Sequence, residues 1–273
     1  MSTNAFHDFE LTGWEKAAAE YDRRFGELTS QSIGPLLDAA GAAPGTRLLD
    51  VACGPGHVAA AAARRGATVI GVDFSTAMVD RATEQYSNLE FHVGDAEALD
   101  FSKESFDAVV MNFGMLHLAR PDTAIAEAFR VLRPGGRYAF TVWDEPHRAV
   151  AFGIILDSVQ LHGSMDVTLP PGPPFFRFSQ PEESMRAVAA AGFMHPQTLQ
   201  IPQVWKIESG DELLKTFQTA AVRTAALLRA QTPEAMKKIR EVIAERVKKF
   251  LHEGLLELPM PSILTSAIRP AGL

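Results

Sequence analysis

The sequence predicts an α/β fold, a doubly wound and mostly parallel sheet flanked by helices. Three observations predict it. The apolar run Leu48-Leu49-Asp50-Val51-Ala52 leads directly into the turn Gly54-Pro55-Gly56 and an Ala-rich helix. Four further strand-like runs follow, ending at Trp143. Helical stretches separate several of them. Strands and helices that alternate at this spacing pack as a parallel sheet with right-handed crossovers.

The elements read in order. Residues 14–40 are expected to be helical, with Phe25, Leu28, Ile33, Leu36 and Leu37 as apolar positions, and Gly41–Gly45 breaks the pattern. Residues 48–52 form the first strand, and His57–Arg65 is a helix closed by Gly66. Residues 68–72 form a second strand, after which Ser75 caps a helix running to about Tyr86. Strands follow at 89–93 and 106–112, then a helix at 121–132 ended by Pro134-Gly135-Gly136, then a strand at 137–143. Residues 149–162 are helical, while Leu169–Pro174 can be neither regular element, because its prolines fix φ and remove donors. Ser179-Gln180-Pro181-Glu182 opens another helix, closed by Gly192. A strand at 197–207, helices at 211–229 and 232–251, and a last strand at 261–268 complete the chain. Met236, Ile239, Ile243, Val247 and Phe250 share one face of the second of these helices. The second half therefore adds sheet edge and a helical cover rather than an independent domain. The expected organisation is an N-terminal helical cap at 1–44, a ligand-binding core at 45–145, and remaining strands and covering helices at 146–273.

Composition bounds the function. A chain of 273 residues with 47% hydrophobic content can bury a large core without staples. Lys and Arg number 26 against 33 Asp and Glu, a net charge of −7 that disfavours a nucleic-acid partner. The single cysteine, Cys53, permits neither an internal disulfide nor a Cys-rich zinc site, and it suits a reducing compartment. Eight histidines are scattered without paired ligand spacing, so no metal is expected. The first ten residues carry acids and no apolar core, and the uncharged stretch 187–205 is broken by prolines and glutamines. Neither a secretory signal nor a membrane span is expected, and the cytoplasm is the expected location. The oligomeric state is left open.

Chemistry concentrates at Asp50–Gly56. Glycines just past a buried strand let a ligand approach the backbone, and the next helix offers free N–H groups. Two ligand classes compete. Gly54-x-Gly56-x-x-Ala59 with Asp73 downstream also satisfies a loose dinucleotide fingerprint. Three features favour a cationic ligand instead. Asp50 would repel a pyrophosphate but attract an ammonium or sulfonium. Gly94-Asp95-Ala96 puts a second polar edge at the crevice. No Tyr is followed by Lys four residues later, so a common dehydrogenase pairing is missing.

LLDVACGPG (48–56), VIGVDFS (69–75), GDAEALDF (94–101), NFGMLHL (112–118) and LRPGG (132–136) stand in this order in the chain. In this the sequence resembles class I S-adenosylmethionine-dependent methyltransferases, most closely the small-molecule branch of ubiquinone- and menaquinone-pathway enzymes. The resemblance covers about residues 45–145. It implies a seven-stranded Rossmann-like sheet with one antiparallel strand, and S-adenosylmethionine as cofactor with S-adenosylhomocysteine as product. It further implies that Gly54 and Gly56 pass the methionine part of the cofactor, Asp50 holds its ammonium and Asp73 its ribose hydroxyls. Phe74 and Met78 would pack on the adenine, Asp95 and Ala96 would bond it, Asn112 would stand between cofactor and acceptor, and Tyr21 would close over the methionine carboxylate.

Methyl transfer from a sulfonium needs alignment and water exclusion, and a weak nucleophile also needs a base. His117, after the fourth strand, and His147, after the fifth, are the candidates. Trp143, Phe175 and Phe176 could wall an apolar acceptor pocket, with Arg177 reaching an anionic group. Asn112-Phe113-Gly114-Met115 stands where nucleic-acid amino-methylating relatives carry Asn/Asp-Pro-Pro-aromatic, so a small organic acceptor is expected. The alternatives are a non-methylating S-adenosylmethionine-binding relative (cyclase, decarboxylase or binder) and, further off, an NAD(P)-dependent oxidoreductase.

Overall fold

The computed structural model describes residues 2–271, with side chains from Ala5 onward. Helix α1 (Ser2–Ser30) begins well before residue 14. Its buried stripe explains why: Phe6, Glu10, Trp14, Ala17, Phe25 and Leu28 recur on one face at helical spacing. The helix stops where Thr29, Ser30 and Ser32 turn their hydroxyls back onto the carbonyls of Phe25, Gly26 and Thr29. Helix α2 (Ile33–Ala39) then starts separately.

Strands β1 (Arg47–Val51), β2 (Thr68–Asp73), β3 (Glu90–Val93), β4 (Phe106–Asn112) and β5 (Leu132–Trp143) alternate with α3 (His57–Arg64), α4 (Thr76–Gln85) and α5 (Pro121–Val131). Ser75 caps α4 as expected, its side chain accepting from the Met78 N–H. Strand β5 begins at Leu132, ahead of the expected Arg137. The Pro134-Gly135-Gly136 turn is absorbed as a register irregularity against β4, with Gly135 at φ 80°.

Past α6 (Val150–His162) and α7 (Pro181–Ala190) the structure departs from the expected pattern. The strand expected at 197–207 is two strands, β6 (Met194–Ile201) and β7 (Val204–Ile207), because Pro202-Gln203 moves the chain from one sheet to another. The helix expected at 211–229 is also two, α8 (Gly210–Thr219) and α9 (Arg223–Arg229), broken at Ala220–Val222. Helix α10 (Pro233–Val247) buries Ile239, Ile243 and Val247. Strands β8 (Leu251–His252) and β9 (Leu255–Pro259) join β7 in a small antiparallel sheet, and β10 (Ser262–Ile268) returns to the main one.

The main sheet has seven strands in the order β3-β2-β1-β4-β5-β10-β6, with β10 antiparallel to both neighbours. One apolar cluster runs from Phe25 on α1 through Val109 and Phe140 to Phe217 and Ile243 on the covering helices. The strand order reverses between β1 and β4, so the crevice for a ligand opens where those two strands end. Among the described residues no helix is long and apolar enough to cross a membrane.

Candidate active site

A cavity enclosing about 1030 Å³, counting the part continuous with solvent, lies at that switch point. Strand ends form its floor, α1 crosses one side, and the α8–α9 break closes the other. Of the expected residues, Tyr21, Gly54, Asp73, Phe74, Met78, Asp95, Ala96, Asn112, His117, Trp143 and Phe175 line it.

The turn after β1 is built from left-handed residues, with Ala52 at φ 53°, Gly54 at 52° and Gly56 at 88°. A Cβ on Gly54 would meet nothing within 4 Å, so its backbone lies bare to the cavity. Gly56 faces the other way. A Cβ there would strike Phe91 at 2.9 Å and Tyr86 at 3.0 Å, so Gly56 serves the packing of the turn on its neighbours.

Asp73 ends β2 with its carboxylate accepting from the Gly54 N–H (2.9 Å) and the Ser75 N–H (2.9 Å). Each oxygen keeps a lone pair for a hydroxyl. Burial pushes its pKa up to about 6 against those two backbone bonds. Asp50 lies beneath the turn rather than on the cavity wall. One oxygen accepts from the Ala59 N–H at 3.0 Å, and Oδ1 is buried without a partner. Burial raises its pKa to about 8. A buried orphan oxygen behind a bare glycine backbone fits a cationic ligand reached directly or through water.

Past β3, Asp95 accepts from the Glu97 N–H at 2.8 Å, and His7 of α1 stands 3.4 Å from its other oxygen. Met78 is buried on the first turn of α4, and His7 meets Phe74 edge-on at 5.7 Å. Tyr21 has its hydroxyl pKa pushed up to about 12 by burial, so it stays protonated.

Several expected residues are otherwise engaged. The Asn112 amide ties elements together: its oxygen accepts from Ser32 and Thr141, and its Nδ2 donates to the Thr29 carbonyl. His147 lies outside the cavity, its side chain 64% exposed and 3.6 Å from Glu145. Arg177 does not reach into it either. Its guanidinium is held by Asp122 at 2.6 and 2.9 Å and by Glu183 at 2.7 Å. Phe176 packs behind the wall, edge-on to Phe152 and Phe175.

The aromatic side of the cavity holds more than the sequence revealed. Phe113 lies 4.1 Å from Trp143, ring to ring, and Phe25, Phe152 and Phe217 extend the aromatic wall. Trp14 stands edge-on to His117 at 4.8 Å. His117 is anchored by Glu10 of α1 (2.9 Å), which Arg223 of α9 also holds (2.7 Å). No local motif marks Trp14, Phe152, Phe217 or Arg223; they meet His117 and Trp143 only through packing.

Comparison with known proteins agrees with this geometry. A family model described as a methyltransferase domain matches residues 49–140. The demethylmenaquinone methyltransferase of Renibacterium salmoninarum is 40% identical over 111 residues, which is 41% of this chain and 47% of that protein. The chain thus spans about half the length of the curated relatives it matches. The crystal structure of the YcgJ protein of Bacillus subtilis superposes with a TM-score of 0.58 at 22% identity, covering 88% of this chain and 99% of that one. Phosphoethanolamine N-methyltransferase 2 of Haemonchus contortus, solved with S-adenosylhomocysteine, gives 0.59 at 19% identity over 97% of this chain and 60% of that one. The matched segment ends β1, β2, β3 and β4 on this cavity, and over residues 49–140 the chain is similar to the methyltransferase domain family.

Proposed function

We propose that this protein transfers a methyl group from S-adenosylmethionine to O, N or C of a small, apolar organic acceptor by in-line displacement. The observation that carries the reading is Asp73. It is a buried carboxylate at the end of β2, locked by two backbone N–H groups, on a cavity that continues into an aromatic chamber. When bound, the sulfonium supplies an activated methyl. The protein's own residues bind, orient and exclude water.

In this reading Asp73 accepts the ribose hydroxyls and Gly54 passes the methionine portion. Asp50 answers the ammonium, and Phe74, Met78, Asp95 and Ala96 hold the adenine. Tyr21 closes from α1. Phe113, Trp143 and Phe175 wall the acceptor. Residues 1–44 act as cap, 45–145 as cofactor-binding core, and 146–273 as remaining sheet and cover of the same domain. The aromatic-walled cavity suits a small molecule rather than a nucleic acid, and the lone, buried Cys53 suits the cytoplasm.

Calorimetry with S-adenosylhomocysteine tests the reading. Binding is expected, and Asp73→Ala should weaken it by about 1.5–3 kcal/mol, the scale of hydrogen bonds to a charged group. No binding by the unaltered protein refutes it. Binding without methyl release, across a metabolite extract supplied with labelled donor, would point instead to a non-methylating use of the same pocket.

A further inference from the structure

Glu10 occupies a place where a carboxylate is costly. It sits in the apolar stripe of α1, in phase with Phe6 and Trp14, and it is fully buried. Both of its oxygens are taken. Oε2 meets His117 Nδ1 at 2.9 Å and Oε1 accepts from Arg223 Nε at 2.7 Å. Burial would raise its pKa, but His117 and Arg223 outweigh this and hold Glu10 below the usual carboxylate range. Arg223 is held in turn. Its two terminal nitrogens donate to the carbonyls of Pro173 (2.8 Å) and Leu116 (2.6 Å), and its charge is matched by Glu10. The His117 ring is fixed between Trp14 and Phe175, edge-on at 4.8 and 5.9 Å. With Nδ1 donated to Glu10, the nitrogen left for the cavity is Nε2.

We propose that Glu10 is a positioning residue that holds His117 in its Nδ1–H tautomer, so that Nε2 takes the proton from a hydroxyl-bearing acceptor lying against Phe113, Trp143 and Phe152. The inference rests on the methyl-transfer reading above and adds the chemical class of acceptor. The acceptor O–H breaks toward Nε2 and leaves its electron pair on oxygen. That pair, at oxygen or at a conjugated carbon, forms the new bond to the donor methyl. The C–S bond breaks toward sulphur, turning a sulfonium into a thioether, and the proton leaves later from Nε2 to solvent. Glu10 balances the imidazolium formed on the way, and Asp73 adds attraction from across the cavity. An uncharged phenol or enol fits this chamber. A phosphorylated acceptor finds no free countercharge, because Glu10 matches the charge of Arg223 and Asp122 and Glu183 match that of Arg177.

The test uses full-length protein with 15N-labelled histidine and S-adenosylhomocysteine added, at a pH where imidazoles are neutral. The His117 signal is assigned by its loss in His117→Asn. The expected spectrum shows His117 with its proton on Nδ1. Glu10→Ala should shift it to Nε2, and so should Glu10→Gln, whose single oxygen goes to Arg223 Nε and whose NH2 then faces Nδ1. If the unaltered protein holds the proton on Nε2, or Glu10→Ala leaves it on Nδ1, the proposal is overturned. Should Glu10→Ala not fold, the tautomer of the unaltered protein alone decides. A panel of phenols and naphthols with S-adenosylmethionine supplies the second readout. On the best of them Glu10→Ala and Glu10→Gln should each lower kcat about a hundredfold with little change in KM. Bound S-adenosylhomocysteine with no phenol methylated overturns the hydroxyl acceptor alone. Failure to bind S-adenosylhomocysteine removes the methyl-transfer reading itself.

Discussion

Ala52 holds its backbone at φ 53°, a conformation that costs an L-residue about 1–2 kcal/mol. Its methyl group is matched by Gly114 on the loop after β4, where an added Cβ would come within 2.5 Å of it. The two positions share room for one methyl. Gly114→Ala alone should destabilise by about 1–3 kcal/mol, the range for overpacking. Ala52→Gly relieves the left-handed strain but loosens the unfolded chain by about 0.4–1 kcal/mol, so it should be neutral or mildly stabilising. Combined, the two should cost less than Gly114→Ala alone, with a coupling of at least about 0.5 kcal/mol in a urea-denaturation double-mutant cycle. Strictly additive effects would show that the methyl groups do not compete.

Helix α1 reaches the α9 start through Gly13. A Cβ at that position would lie 2.4 Å from Val222 Cγ1, and the stiff, buried valine cannot turn away. A helical Gly→Ala change normally stabilises by about 1 kcal/mol. Here the sign should reverse, because the added methyl lifts α1 from α9 and strains the nearby Glu10–Arg223 contact. Gly13→Ala should therefore lower the melting temperature and weaken S-adenosylhomocysteine binding. Gly34→Ala in α2, where nothing lies within 4 Å, should do neither and serves as control. Equal behaviour of the two variants would refute the tight seat. This seat also shows what the sequence could and could not disclose. Strands β1, β2 and β4 and the cap Ser75 were legible, since local apolar runs, glycines and capping chemistry dictate them. The cavity positions of Asp73, Gly54 and Asp95 were legible with them, because strand ends at a switch point line the crevice. Glu10 carries a signal that extending α1 to its true start would expose: an acid in phase with an apolar stripe. Arg223 and the Ala220–Val222 break carry none. Their partners on α1, Glu10 and Gly13, lie about two hundred residues away in sequence, and only tertiary packing brings them together.

At the scale of the whole molecule, the cavity is an acidic site on an acidic chain. With a net charge of −7, the ligand-free fold keeps Asp50 and Asp73 partly protonated, burial having raised them to about 8 and about 6. Both values stand above the unfolded carboxylate value. Their contribution to stability is therefore fully present at low pH and is lost as pH rises through about 6 and then about 8. Ligand preference runs the other way. An ammonium or sulfonium favours ionised Asp50, and two ribose hydroxyls favour an ionised Asp73 with lone pairs to spare. Binding must then expel protons, so affinity for S-adenosylmethionine should climb with pH, up to about a hundredfold per unit just below about 6, where both carboxylates give up a proton, about tenfold per unit between about 6 and about 8, and flatten above about 8. The thermal shift on adding the ligand should grow over the same interval, because the free protein loses stability while the complex does not. Calorimetry in two buffers of different ionisation enthalpy should count the released protons directly. A dissociation constant flat from about pH 5 to about pH 8, with no proton release, would mean that neither carboxylate meets the ligand.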